Sequence, residues 1–118
     1  MKLRLRRNSI RLRLNRRDVD MLASGNTIEE QVFFPGDAQL SYVLESRRNE
    51  DAAACFDGVS IRIAVPSAAV SAWANSQEIG LYYDFAAGEQ PLKVAIEKDL
   101  ECLHPPEDEH DAEAFPRT

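Results

Sequence analysis

Hydrophobic and polar residues alternate from the first positions of the chain. Leu3 and Leu5 stand between Lys2, Arg4 and Arg6, and Ile10, Leu12 and Leu14 stand between Arg11 and Arg13. A period of two places aliphatic side chains on one face and arginines on the other, the pattern of a half-buried strand. Arg7-Asn8 interrupts it and reads as a tight turn or a bulge, since Asn tolerates positive φ. Asn15 is placed to cap a helix, with Asp18 three residues on. Val19, Leu22 and Ala23 have helical spacing and Gly25-Asn26 is a stop signal, so a short helix is expected near 16–24. Strands over Thr27–Phe34 and Gln39–Glu45 follow, joined through Pro35-Gly36-Asp37 as a hairpin. Arg47–Asp51 reads as a charged loop.

The second half runs through the same series. Ala53–Phe56 is a short apolar run, Asp57-Gly58 a two-residue hairpin turn, and Val59–Val65 an alternating strand. Pro66 suits a first helical turn, where a missing N–H costs nothing. Ala69, Val70, Trp73 and Ala74 then face a core rather than a ligand, and Asn75-Ser76 ends that helix. Strands over Ile79–Phe85 and Leu92–Lys98 complete the pattern.

The halves superpose in register. At an offset of 51, Ser9-Ile10-Arg11 meets Ser60-Ile61-Arg62, Leu5 meets Phe56, Leu22 meets Trp73 and Ile28 meets Ile79. At an offset of 52, Gly36 meets Gly88, Leu40 meets Leu92, Leu44 meets Ile96 and Glu45 meets Glu97. Any two hairpin–helix units share a pattern, but the Ser-Ile-Arg identity with core matches on both sides favours internal duplication. The expected fold is therefore α+β. It is a largely antiparallel sheet, or a curled half-barrel, made from two tandem β(β)αββ repeats related by a pseudo-two-fold. Both short helices pack on it. The repeats cover about 2–46 and 53–99 within a single domain of residues 1–102, and 103–118 form an acidic tail.

Composition adds modest bounds. The 118 residues suffice for one domain with a core of its own. Two cysteines, Cys55 and Cys102, are too few for a disulfide framework, and Cys55 in its apolar run reads as a buried small hydrophobe. No segment approaches a membrane span and no apolar stretch follows the basic start, so a cytoplasmic protein is expected. The net charge is −6 but segregated: residues 1–17 hold eight basic residues and no acid, and residues 101–113 hold six acids and no Lys or Arg.

The opening KLRLRRNSIRLRL, the stretch Ala95–Leu103 with its Ile-Glu-Lys-Asp core, and the ending DAEAFP together resemble a family of small bacterial proteins classed as a domain of unknown function. The resemblance spans nearly the whole chain, and its motifs are specific only in combination. It implies a bacterial, cytosolic setting, and it brings no established activity and no catalytic residues with it. Arg7 departs from the glycine expected there in relatives.

Candidate chemistry falls into three groups. Cys102, His104 and His110 among acids form a candidate metal set, although their spacing matches no strong zinc pattern and a solvated tail explains them as well. Glu97, Asp99 and Glu101 alternate onto one side, either as an acid–base cluster or as a charged, solvent-facing strand edge, the second being favoured. The arginine ladder Arg4, Arg6, Arg11 and Arg13, with Arg62 as the counterpart of Arg11, is a candidate polyanion site. Phe33, Tyr42, Tyr82 and Tyr83 are available for stacking. The negative net charge argues against nucleic acid, and pairing of the arginines with Glu29, Glu30, Glu45 or the tail is favoured. The chain has no P-loop, dinucleotide fingerprint or His-Glu-x-x-His motif. The resulting expectation is a non-enzymatic binding or protein-interaction module without a cofactor, acting as a homodimer or on another protein. A small metal-dependent or acid–base enzyme using the C-terminal Cys/His/acidic segment is one alternative, and polyanion binding by the arginine ladder is the other.

Overall fold

The alternating opening folds as a hairpin, not as one bent strand. In the computed structural model, which describes residues 1–100, β1 (Lys2–Arg6) returns as β2 (Ser9–Leu14) with Arg6 opposite Ser9. Arg7 makes the reversal at φ +52°, since a two-residue hairpin between twisted strands calls for positive φ. Asn15 then caps α1 (Arg16–Ala23). Its Oδ1 accepts from the Asp18 amide at 2.8 Å, and the Asp18 carboxylate accepts from the Asn15 amide at 3.2 Å. These reciprocal bonds satisfy two donors at a helix start. The far end closes through Gly25 at φ +90°, with the amides of Gly25 and Asn26 bonded back to the carbonyls of Leu22 and Met21, the Schellman arrangement.

Strands β3 (Ile28–Phe34) and β4 (Ala38–Arg47) form the second hairpin. The second half supplies β5 (Ala53–Phe56), β6 (Ser60–Pro66), α2 (Ser67–Ala74), β7 (Gly80–Phe85) and β8 (Leu92–Lys98). Pro66 lies one step earlier than expected. It ends β6 and serves as the N-cap of α2, with extended backbone and no side-chain cap bond. The β5–β6 turn lies one residue later than expected, at Gly58-Val59, with the Asp57 amide donating to the Ser60 carbonyl at 3.3 Å. Asp57 accepts at Oδ1 from the amides of Val59 and Ser60, at 2.8 and 2.7 Å. Those bonds, the Ser60 one foremost, hold its carboxyl below the ordinary carboxylate range.

The fold is α+β with mostly antiparallel pairing, and the strands divide between two four-stranded sheets. Sheet A has the order β1-β2-β8-β7 and sheet B the order β3-β4-β6-β5. Each half thus gives one hairpin to each sheet, and the hairpins join through parallel central pairs, β2 with β8 and β4 with β6. Each helix carries the chain once from one sheet to the other, α1 from β2 to β3 and α2 from β6 to β7.

Exchanging the halves maps one sheet order onto the other, and the registers agree. Ile10 lies beside Val94 and Leu12 beside Ile96; Ile61 lies beside Tyr42 and Ile63 beside Leu44. One alignment fails. Ile28 pairs with Leu44, but the residue pairing with Ile96 is Leu81, not Ile79. Two additional residues after α2 shift the strand, leaving Ile79 exposed whereas Ile28 is buried.

The inner faces of both sheets and one stripe of each helix share a core that includes Leu12, Leu14, Leu22, Leu44, Ile63, Val65, Trp73 and Ile96. Trp73 is enclosed, and its indole N–H donates to the Ile79 carbonyl at 3.0 Å. Lys98 lies over the ring at 5.6 Å and donates to the carbonyls of Trp73 and Ser76, at 3.0 and 2.8 Å. That places a cation where the C-terminal carbonyls of α2 need one. Among the described residues, no helix is long and apolar enough to cross a membrane.

Candidate functional site: a basic face and an apolar edge

Alternation puts Lys2, Arg4 and Arg6 of β1 and Arg11 and Arg13 of β2 on the outer face of sheet A, and the register sets Arg4 opposite Arg11 and Lys2 opposite Arg13. Like charges placed directly opposite one another oppose folding. Relief comes from β8. Arg11 Nε lies 3.2 Å from Glu97, whose other oxygen accepts from the Tyr82 hydroxyl at 2.8 Å, and Lys2 Nζ lies 2.9 Å from Asp99. The hydrogen bond to Glu97, more than burial, pushes the Tyr82 phenol up. Arg4 and Arg6 are exposed and have no carboxylate partner among the described residues.

Four of the five expected arginines thus share one face. Arg62 does not. It lies on sheet B, 3.7 Å from Glu45, and Glu45 also takes Arg47 at 2.7 Å. Arg11–Glu97 and Arg62–Glu45 are equivalent ion pairs at the offsets of 51 and 52, each joining the two halves on the outer face of its own sheet. Pairing with Glu45 was expected. Glu30 instead holds the Met1 amine at 2.7 Å, with Asp18 3.0 Å from the same amine.

Three further expectations change. Glu97 is not on a strand edge, because the parallel pairing with β2 makes β8 a central strand. Cys55 is exposed, because the four-residue β5 is an edge strand and its alternation turns Cys55 outward beside Arg62. The four aromatics do not gather, and Tyr82 alone lies with the arginines. Tyr83 faces inward against Phe85, ring centres 6.3 Å apart, and burial raises its pKa. Tyr42 donates to the Met1 carbonyl at 3.4 Å, and Phe33 is on β3. Cys102, His104, His110 and Glu101 lie outside the described residues. Among those described, no three His, Cys, Asp or Glu residues converge as a metal site.

The second feature is an apolar run on an edge. Val32, Phe33 and Phe34 of β3 are 42%, 72% and 50% exposed. β3 pairs with β4 on one side only, so alternate backbone groups along its other side lack a strand partner. Three consecutive apolar residues in a strand must leave at least one on the outer face, and that signal was in the sequence. Edge position was not. An open cleft of about 510 Å³ lies at the helix end, lined by Leu22, Ser24, Ser46, Arg48, Ser67 and Ser71.

A family model matches residues 1–118. The chain belongs to DUF7009, a family of unknown function. No curated protein and no solved structure matches it. The two surface features that this DUF7009 member offers a partner are the basic face of sheet A and the apolar edge of sheet B.

Proposed function

We propose that the chain is a non-enzymatic protein-interaction module that pairs with a second copy of itself along β3. The exposed Val32-Phe33-Phe34 run carries this reading. Long apolar edges recruit further strands unless something blunts them. The other three edges are blunted: β1 by Lys2, Arg4 and Arg6, β5 by its four-residue length, and β7 by Asp84 and Gly80. β3 is seven residues long and carries its charges, Glu29 and Glu30, at one end, with Glu30 committed to the Met1 amine. Antiparallel pairing of two β3 strands about a two-fold axis is self-complementary. It would bury the phenylalanines, at about 1.5–3 kcal/mol for each fully covered side chain. A reducing, cytosolic setting goes with this reading, since Cys55 is an exposed free thiol.

Light scattering coupled to gel filtration tests it. The native chain should run at twice its 13.3 kDa mass at high micromolar concentration. The Phe33→Lys variant should run at the single-chain mass with an unchanged circular dichroism spectrum. A native chain that is monomeric across that range would refute the pairing.

A further inference from the structure

We infer that the outer face of sheet A is the seat of the acidic segment Glu101–Glu113 of the same chain. The face carries Lys2, Arg4, Arg6, Arg11, Arg13 and Lys93 against Asp84, Glu97 and Asp99. Its excess is positive, whereas the chain as a whole is at −6. The segment carries Glu101, Glu107, Asp108, Glu109, Asp111 and Glu113 and no Lys or Arg. Guanidinium groups bind carboxylates through paired hydrogen bonds, and Arg4 and Arg6 are exposed for this.

Position supports the match. The segment begins two residues after Asp99, just beyond β8, a central strand of the same sheet, and Asp99 already pairs with Lys2 on that face at 2.9 Å. Thirteen extended residues reach about 43 Å, and four strands make a face only about 14 Å wide. Nucleic acid fits less well. Tyr82, the one aromatic of the four that lies with the arginines, is held by its hydroxyl to Glu97 at 2.8 Å and would have to turn for stacking.

Zero-length carbodiimide coupling of the full chain, with equal amounts of nitrogen-15-labelled and unlabelled protein, tests the inference. Acids of 107–113 should couple to Lys2 or Lys93 within single chains. The yield should fall several-fold in molar salt and in Arg4→Gln/Arg6→Gln, but not in Arg16→Gln/Arg17→Gln on α1. The Lys2–Asp99 link is the internal control. Absence of the long-range links while that control forms overturns the inference, as do links of which about half join a labelled to an unlabelled chain, the share that random pairing of two chains gives. In a second measurement, replacing the acids of 107–113 by their amides should raise affinity for an oligoglutamate peptide about tenfold, or roughly 1.4 kcal/mol. No gain in affinity, or binding of a thymidine oligonucleotide in place of the peptide, counts against it.

Discussion

Arg7 and Gly58 occupy the same place in two hairpins 51 residues apart, and both have positive φ, +52° and +97°. The turn geometry demands that backbone at both sites, and only one of them has the residue that adopts it without strain. A left-handed conformation costs a side-chain-bearing residue about 1–2 kcal/mol, while glycine brings about 0.5–1 kcal/mol of added unfolded-state entropy. Arg7→Gly should therefore stabilise the fold by about 0.5–1 kcal/mol. Gly58→Arg should destabilise it by a similar amount, through the backbone alone, because no atom lies within 4 Å of where its Cβ would stand. Urea midpoints of the two variants would check both signs; a destabilised Arg7→Gly would contradict the strain assignment.

The Met1 amine predicts a dependence on alkaline pH. Burial lowers its pKa, but hydrogen bonds to Glu30 and Asp18 outweigh that and leave it above the ordinary 8.0. A folded-state pKa raised in this way gives stabilisation that is complete below the unfolded value and lost as pH climbs through the folded one. Melting temperature should thus decline above pH 8 more steeply in the native chain than in an Nα-acetylated one. At neutral pH acetylation should cost about 1–3 kcal/mol, since it strands the Glu30 oxygen. Parallel melts that coincide for the two forms would rule this out.

Cys55 offers a test of strand position. As an exposed free thiol on an edge strand, it should react with a disulfide reagent in the folded protein at a rate close to that in denaturant. A Cys102→Ser background isolates the reading. Reaction only upon unfolding would place Cys55 in the interior and would require a different partner for β5.

Much of the local structure was legible. Asn15 with Asp18, and Gly25 with Asn26, marked both ends of α1 because capping depends on backbone groups within a few residues. The alternation of Leu12 with Arg11 and Arg13 chose the buried face of β2 because a strand's period is fixed by its pleat. The candidate arginines were legible for the same reason, but only as far as one hairpin reaches. Arg62 shares the pattern of Arg11 yet points from the other sheet. The apolar edge was half visible, as three consecutive residues with nothing to say that β3 has one neighbour.

The sequence alone determined most local conformations, the stripes that β2, β6, β8 and the two helices bury, and the matching order of the two halves. These follow from propensity, period and turn chemistry acting over a few residues. Only the tertiary structure decided that β2 lies beside β8 and β4 beside β6. Strands with the same alternation are interchangeable to their neighbours, and selection among them depends on how two helices and two sheet faces close around Trp73 and Leu22. Edge, centre and exposure all descend from that choice, which is why Glu97, Cys55 and Phe33 took their roles from the fold.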